Sequence, residues 1–183
     1  MNTKYLLIRI SFIALFAAIT AATAFFAFNL GPVPIVLQNM LVVLSGIILG
    51  PFLGMAATGL FLLAGLIGFP VFSSGTGGIA HFAGPTGGYL IGYLLAAILG
   101  GLIAGKATYN TPIVKVAIAA VAGFLIIYVP GIIWLKISLD MDWSQAFLGG
   151  FFPFLAGDAI KAAAVIIISP RLRRIAANYL DGK

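Results

Sequence analysis

Near the end of the chain two ionisable residues, Asp158 and Lys161, interrupt the apolar run FPFLAGDAIKAAAVIIIS. They are three apart, so on a helix they share one face and can touch. A charge near the centre of a bilayer costs at least ~2.5–3.5 kcal/mol, so such residues pair or face a cavity. Two readings are open. The pair either locks helices together or lines a polar pocket, both groups ionised and mutually compensated.

Few other reactive groups exist. The chain has no cysteine, no glutamate and a single histidine, His81. Disulfides and thiolate metal sites are thereby excluded. A hydrolytic dyad, a carboxylate metal cage or a His-Asp-Ser triad has almost nothing to be built from. A lipid-acting enzyme with Asp158 as general base would want a second carboxylate, histidine or nucleophile in reach, and none is evident in the spans. No catalytic residue, metal site or cofactor is expected. The net charge of +6 does not imply nucleic acid, because the basic residues sit beside apolar spans.

The remaining motifs suit binding rather than reaction. Residues 69–88 read FPVFSSGTGGIAHFAGPTGG. Here Gly75, Gly77 and Gly78 lack Cβ atoms and let backbone N–H and C=O groups approach a ligand closely. Ser73, Ser74, Thr76 and Thr86 can add hydroxyl contacts. The stretch lacks the GK[ST] ending of a phosphate loop, so nucleotide binding is not expected. A flexible external connection is the plain alternative, although long loops are usually lids or binding loops. His81 reads as a hydrogen-bonding loop residue rather than a metal ligand. Gln38 and Asn39 open a short second helix, where an amide serves either interhelical packing or a ligand. Tyr89 and Tyr93, four apart, are either interfacial anchors or a flat wall for a ring.

These groups must be positioned by membrane helices. The chain is 62% hydrophobic and 8% charged, with mean hydropathy +1.19, whereas soluble domains carry roughly 25% charged residues. An all-α membrane protein of six spans is expected, over residues 4–30, 36–50, 52–68, 85–105, 112–139 and 151–169. These form one membrane domain, 1–170, followed by a short basic cytoplasmic tail, 171–183. Gly50-Pro51 divides one apolar run into two helices, since proline lacks the N–H that an interior position needs. Pro130-Gly131 is expected to kink the fifth span.

Lysine and arginine placement sets the orientation. With six spans and a cytoplasmic N-terminus, Lys4, Arg9, Lys106, Lys115, Arg171, Arg173, Arg174 and Lys183 all fall inside. The loop with Asp140 and Asp142 then lies outside, as does the glycine-rich loop; Trp134 and Trp143 fit the outer interface belt. The first span is expected to be retained rather than cleaved as a signal peptide, because its apolar run continues to Leu30. Along it Ala14, Ala18 and Ala22 recur every four residues, which permits close helix approach, either within the chain or by a partner subunit.

Several of these stretches resemble one family. GPVPIVLQN at 31–39, GPFLG at 50–54, GGIAHFAGPTGGYLIGY at 77–93 and FPFLAGDAIKA at 152–162 are similar to BioY proteins, the biotin-specific S components of energy-coupling factor transporters. The resemblance runs from about Pro32 to Lys161. It implies an S-component bundle in a prokaryotic cell membrane that takes biotin from outside and associates with a transmembrane coupling subunit and two ATPases. It also implies that Ala14, Ala18 and Ala22 form the docking face. The ligand residues would come from Asp158, Lys161, Gln38, Asn39, Ser73, Gly75, Gly77, Gly78, His81, Tyr89 and Tyr93. Asp158 would accept from the ureido N–H groups, Lys161 would donate to the ureido carbonyl, and the carboxylate would lie near Ser73–Gly78.

Overall fold

The structure, a computed structural model, describes residues 3–28, 31–108 and 110–180. Its helices are α1 (Thr3–Ala22), α2 (Gln38–Leu49), α3 (Pro51–Leu66), α4 (Ile79–Ala83), α5 (Gly87–Ala104), α6 (Ile113–Ser138), α7 (Trp143–Gly150) and α8 (Phe152–Leu180). A small antiparallel hairpin pairs β1 (Ala27–Phe28) with β2 (Ile35–Val36). The helices exist because their residues are apolar almost throughout, and in lipid every backbone polar group must be satisfied within its own segment.

Among the described residues, four segments are long and apolar enough to cross a membrane: Thr3–Phe25, Gly87–Ala104, Ile113–Ser138 and Trp143–Leu180. The other two expected spans are shorter. At 12 and 16 residues, α2 and α3 reach only ~18 and ~24 Å at 1.5 Å per residue, against a hydrocarbon core of ~30 Å. Six full spans therefore overstates the count.

Three boundaries also move. The α-helical part of the first span stops at Ala22, and a 3-10 turn carries it to Phe25. Ala27 and Phe28 then turn into the hairpin, and Leu30, where the span was expected to end, lies outside the described residues. The segment before Phe151 contains α7, which Asp142 and Gln145 start with a reciprocal capping box. Residues 171–180, expected as a basic tail, instead continue α8 through Pro170, with Arg173 completely buried. Lys183 lies outside the described residues. Helix α6 runs unbroken from Ile113 to Ser138 with Pro130 inside it.

The α2–α3 break falls where the Gly-Pro pair places it. Gly50 closes α2 with φ of +82° and Pro51 occupies the first turn of α3, a backbone angle that favours glycine. Glycine also sets the packing distance in the core. A Cβ on Gly46 of α2 would strike the backbone of Ala97 in α5. Around that contact Val43, Ile47, Ala96, Ala97, Val116, Ala119 and Ala120 are fully buried.

Chain ends α1 and α8 meet at one end of the bundle, where Phe12 and Tyr179 pack at 6.3 Å between ring centroids. At the opposite end lie the hairpin, α4 and α7. That end holds the cavity.

Candidate functional site

A cavity opens between the hairpin side of the bundle and the ends of α2, α5, α6 and α8. The space between its walls is about 550 Å³, counting the part open to the exterior.

At one side of the cavity sits a four-membered polar network. Lys161 Nζ donates to Asp158 Oδ1 at 2.7 Å and to Asn39 Oδ1 at 3.2 Å. Asn39 Nδ2 donates back to Asp158 Oδ1 at 3.0 Å, and the Tyr128 hydroxyl donates to Asp158 Oδ2 at 2.5 Å. Asp158 and Lys161 are 6% and 8% exposed, so the charges compensate each other inside the protein. Helix spacing puts both on the inner face of α8, and Asn39 arrives from α2.

This network is not saturated. An ionised carboxylate offers about four acceptor positions and an ammonium three donors. Asp158 uses three and Lys161 two in the bonds just described. One acceptor position on Asp158 and one donor on Lys161 are left, and both residues line the cavity.

Across the cavity the wall carries hydroxyls and a histidine. Ser73, His81 and Thr86 line it. His81 Nδ1 lies 2.9 Å from Thr76 Oγ1, its Nε2 lies 3.2 Å from Thr86 Oγ1, and its ring stacks on Phe72 at 4.9 Å. Burial holds its pKa below the usual histidine value, so the ring is neutral at pH 7. Aromatic and aliphatic side chains join the two polar walls: Phe72, Tyr89, Leu90, Tyr93, Ile127 and Phe154.

The structure brings together Asp158, Lys161, Gln38, Asn39, Ser73, His81, Tyr89 and Tyr93, all of them lining one cavity. Gln38 also has a structural task, since its Nε2 donates to Val71 O at 2.6 Å and tethers the glycine-rich loop to α2. Tyr89 donates to Gly150 O at 2.8 Å and so holds α7 against α5. Gly75, Gly77 and Gly78 do not line the cavity. They shape the loop instead: Gly77 packs on the backbone of Phe69, and Gly78, at φ of +91°, donates its N–H to Gly65 O at 2.6 Å. Trp134, expected only as a belt residue, donates to Gly84 O at 2.9 Å and anchors the loop's far end.

Sequence reasoning missed Tyr128 and Phe72. Tyr128 had a signal: it supplies the one hydroxyl between Ala117 and Ile137 in an apolar helix, and buried tyrosines usually have a polar partner. Phe72 had none. It is fully buried in contact with Phe61, Phe82 and His81, which only the folded loop reveals.

Ala14, Ala18 and Ala22 are exposed, whereas Ala17 and Thr20 on the other side of α1 are buried. The four-residue alanine ridge therefore does not serve packing within this chain.

Fold and site together define the class: a multi-pass helical membrane protein with a cavity lined by polar and aromatic side chains at one end of its bundle. The chain belongs to the BioY family, whose family model matches residues 1–178. It is 40% identical over 165 residues to a probable biotin transporter BioY of Pyrococcus horikoshii, covering 90% of this chain and 96% of that protein. With the biotin transporter BioY of Thermotoga maritima it shares 37% identity over 161 residues, or 88% and 93% of the two chains. Its fold is similar to the crystal structure of the S-component for biotin from an ECF-type ABC transporter. That match has a TM-score of 0.85 and 32% identity and covers 94% of each chain.

Proposed function

We propose that this chain is the biotin-binding S component of an energy-coupling factor transporter, a membrane subunit for vitamin uptake and not an enzyme. The observation that carries the reading is the unsaturated Asp158–Lys161–Asn39–Tyr128 network lining the cavity. Biotin's ureido ring presents N–H donors beside one carbonyl acceptor. Those are complementary to the spare acceptor position on Asp158 and the spare donor on Lys161. Because the network is neutral overall, it accepts a neutral polar ring without a net charge penalty. The valerate carboxylate lies toward Ser73, Thr86 and His81, on the opposite wall, with the aromatic surfaces between them covering the thioether ring.

The subunit works in the cell membrane with its chain ends in the cytoplasm, and a transmembrane coupling subunit and two ATPases supply the energy. The exposed Ala14, Ala18 and Ala22 ridge supports docking of the coupling subunit on α1, since small side chains admit a second helix closely.

The test is direct. The purified protein is assayed for co-purifying biotin, and labelled biotin is then competed with unlabelled biotin, riboflavin, thiamin and folate. Biotin alone should compete. Competition by a different vitamin would move the chain to another ligand, and the absence of any tight ligand would leave an assembly subunit.

A further inference from the structure

Arg173 lies at the other end of the bundle from the cavity and is 0% exposed. Its guanidinium donates to Ile47 O, to Ala104 O at 3.0 Å, to Gly105 O at 3.2 Å and to Lys106 O at 2.6 Å. Its Nε donates to Thr111 Oγ1 at 3.1 Å. No carboxylate pairs with it among the described residues. The counter-charge comes from carbonyls near the C-termini of α2 and α5, the groups left without intrahelical partners and the negative ends of two helix dipoles.

Two of the three helices that build the polar network, α2 and α8, also carry this clasp. Helix α2 brings Asn39 to the network and Ile47 to the clasp; α8 brings Asp158 and Lys161 to the network and Arg173 to the clasp. From Asp158 to Arg173 is ~22 Å along the helix at 1.5 Å per residue. Between them Ala162, Val165 and Ser169 are buried on the inner face of α8, and Ile166 and Leu172 pack partly buried against the core. The buried Ser169 hydroxyl has no hydrogen-bond partner among the described residues. Apolar packing, without a side-chain hydrogen bond from Ser169, holds the middle of α8.

We infer that Arg173 is a positioning residue for the ligand site: by clasping the cytoplasmic ends of α2 and α5, it sets the register of α8 that places Asp158 and Lys161 against Asn39. The planar, five-donor fork is suited to this because it reaches several carbonyls at once in one fixed geometry, which an ammonium on a flexible stem does not. The inference rests on the proposed ligand, and wild-type binding of biotin is the control that separates the two.

Three graded variants test it by biotin titration of detergent-purified protein, with size-exclusion elution as the check on folding. Thr111→Val removes one acceptor and leaves every backbone carbonyl in place; it should weaken binding by roughly threefold, the scale of one ordinary hydrogen bond. Arg173→Lys keeps the charge and should weaken binding by about tenfold, with Arg173→Gln weaker still. In the Lys161→Met background the same changes should have a smaller further effect than in the wild type, because one of the two groups they position is gone. Wild-type affinity in folded Arg173→Lys, or losses that simply add to that of Lys161→Met, overturns the inference. Should Arg173→Gln not fold, Thr111→Val and Arg173→Lys carry the same comparison. Failure of the wild type to bind biotin instead defeats the proposed function.

Discussion

Removing the Lys161 ammonium separates the two tasks that the polar network performs. Lys161→Met keeps most of the side-chain volume and deletes the bonds at 2.7 Å to Asp158 and 3.2 Å to Asn39. Asp158 would then be a buried carboxylate without its counter-ion, and breaking such a pair typically costs 3–5 kcal/mol. The donors from Asn39 and Tyr128 remain and offset part of that, so a loss of about 2–3 kcal/mol in stability is expected. Asp158→Asn combined with Lys161→Met removes the stranded charge and should recover most of the loss. Ligand affinity responds differently. Both forms lack the Lys161 donor, and losing a hydrogen bond to a charged group is worth ~1.5–3 kcal/mol, or roughly 10- to 100-fold in Kd. Thermal unfolding of the ligand-free proteins in detergent and biotin titration read the two effects. Two results refute the reasoning: wild-type affinity in Lys161→Met, or a double variant no more stable than the single one.

Tyr128→Phe deletes only the hydroxyl that donates to Asp158 Oδ2; it should weaken biotin binding by about tenfold while leaving the protein monodisperse, as titration and size exclusion will show. His81 gives the site an acid limit. Its folded pKa lies below the unfolded value because burial penalises the imidazolium, so its contribution to loop stability is complete above the unfolded pKa. That contribution is lost as pH falls through the folded pKa. Biotin affinity should therefore decline as pH falls below the ordinary histidine range in the wild type, and His81→Gln should flatten that part of the profile measured from pH 7.5 to 5. The exposed alanine ridge makes the opposite kind of prediction. Ala18→Leu should leave biotin binding unchanged and reduce co-purification of the coupling subunit and biotin uptake by cells expressing the whole transporter.

The membrane class and the division at Gly50-Pro51 were legible because each follows from local chemistry: apolar composition in one case, a missing N–H and a positive φ in the other. The end of the first helix was not. Phe25, Phe26 and Phe28 are as apolar as the helix before them, and all three are exposed. What turns the chain there is pairing of Ala27–Phe28 with Ile35–Val36, a contact that no hydropathy pattern encodes. Helix α8 illustrates the reverse error. Arg171, Arg173 and Arg174 look like a solvated tail because arginine is rarely buried, yet Arg173 finds its acceptors on α2 and the α5–α6 connection, residues more than sixty positions away in the chain.

At the cavity the same distinction decides which residues were found. Asp158 and Lys161 stand out because their charge is anomalous in an apolar span, and Asn39 because an amide there demands a partner. Gly75, Gly77 and Gly78 stood out for a property, backbone freedom, that serves folding as readily as binding, and the fold spends it on the loop. Gly78 hands its N–H to Gly65 O and so brings α4 and His81 back over the opening. The glycines thus shape the loop that delivers Ser73, His81 and Thr86 to the cavity wall. A cavity that offers a charge-neutral, incompletely satisfied network and a separate group of hydroxyls beside a histidine favours a solute with a neutral polar ring at one end and an anionic group at the other.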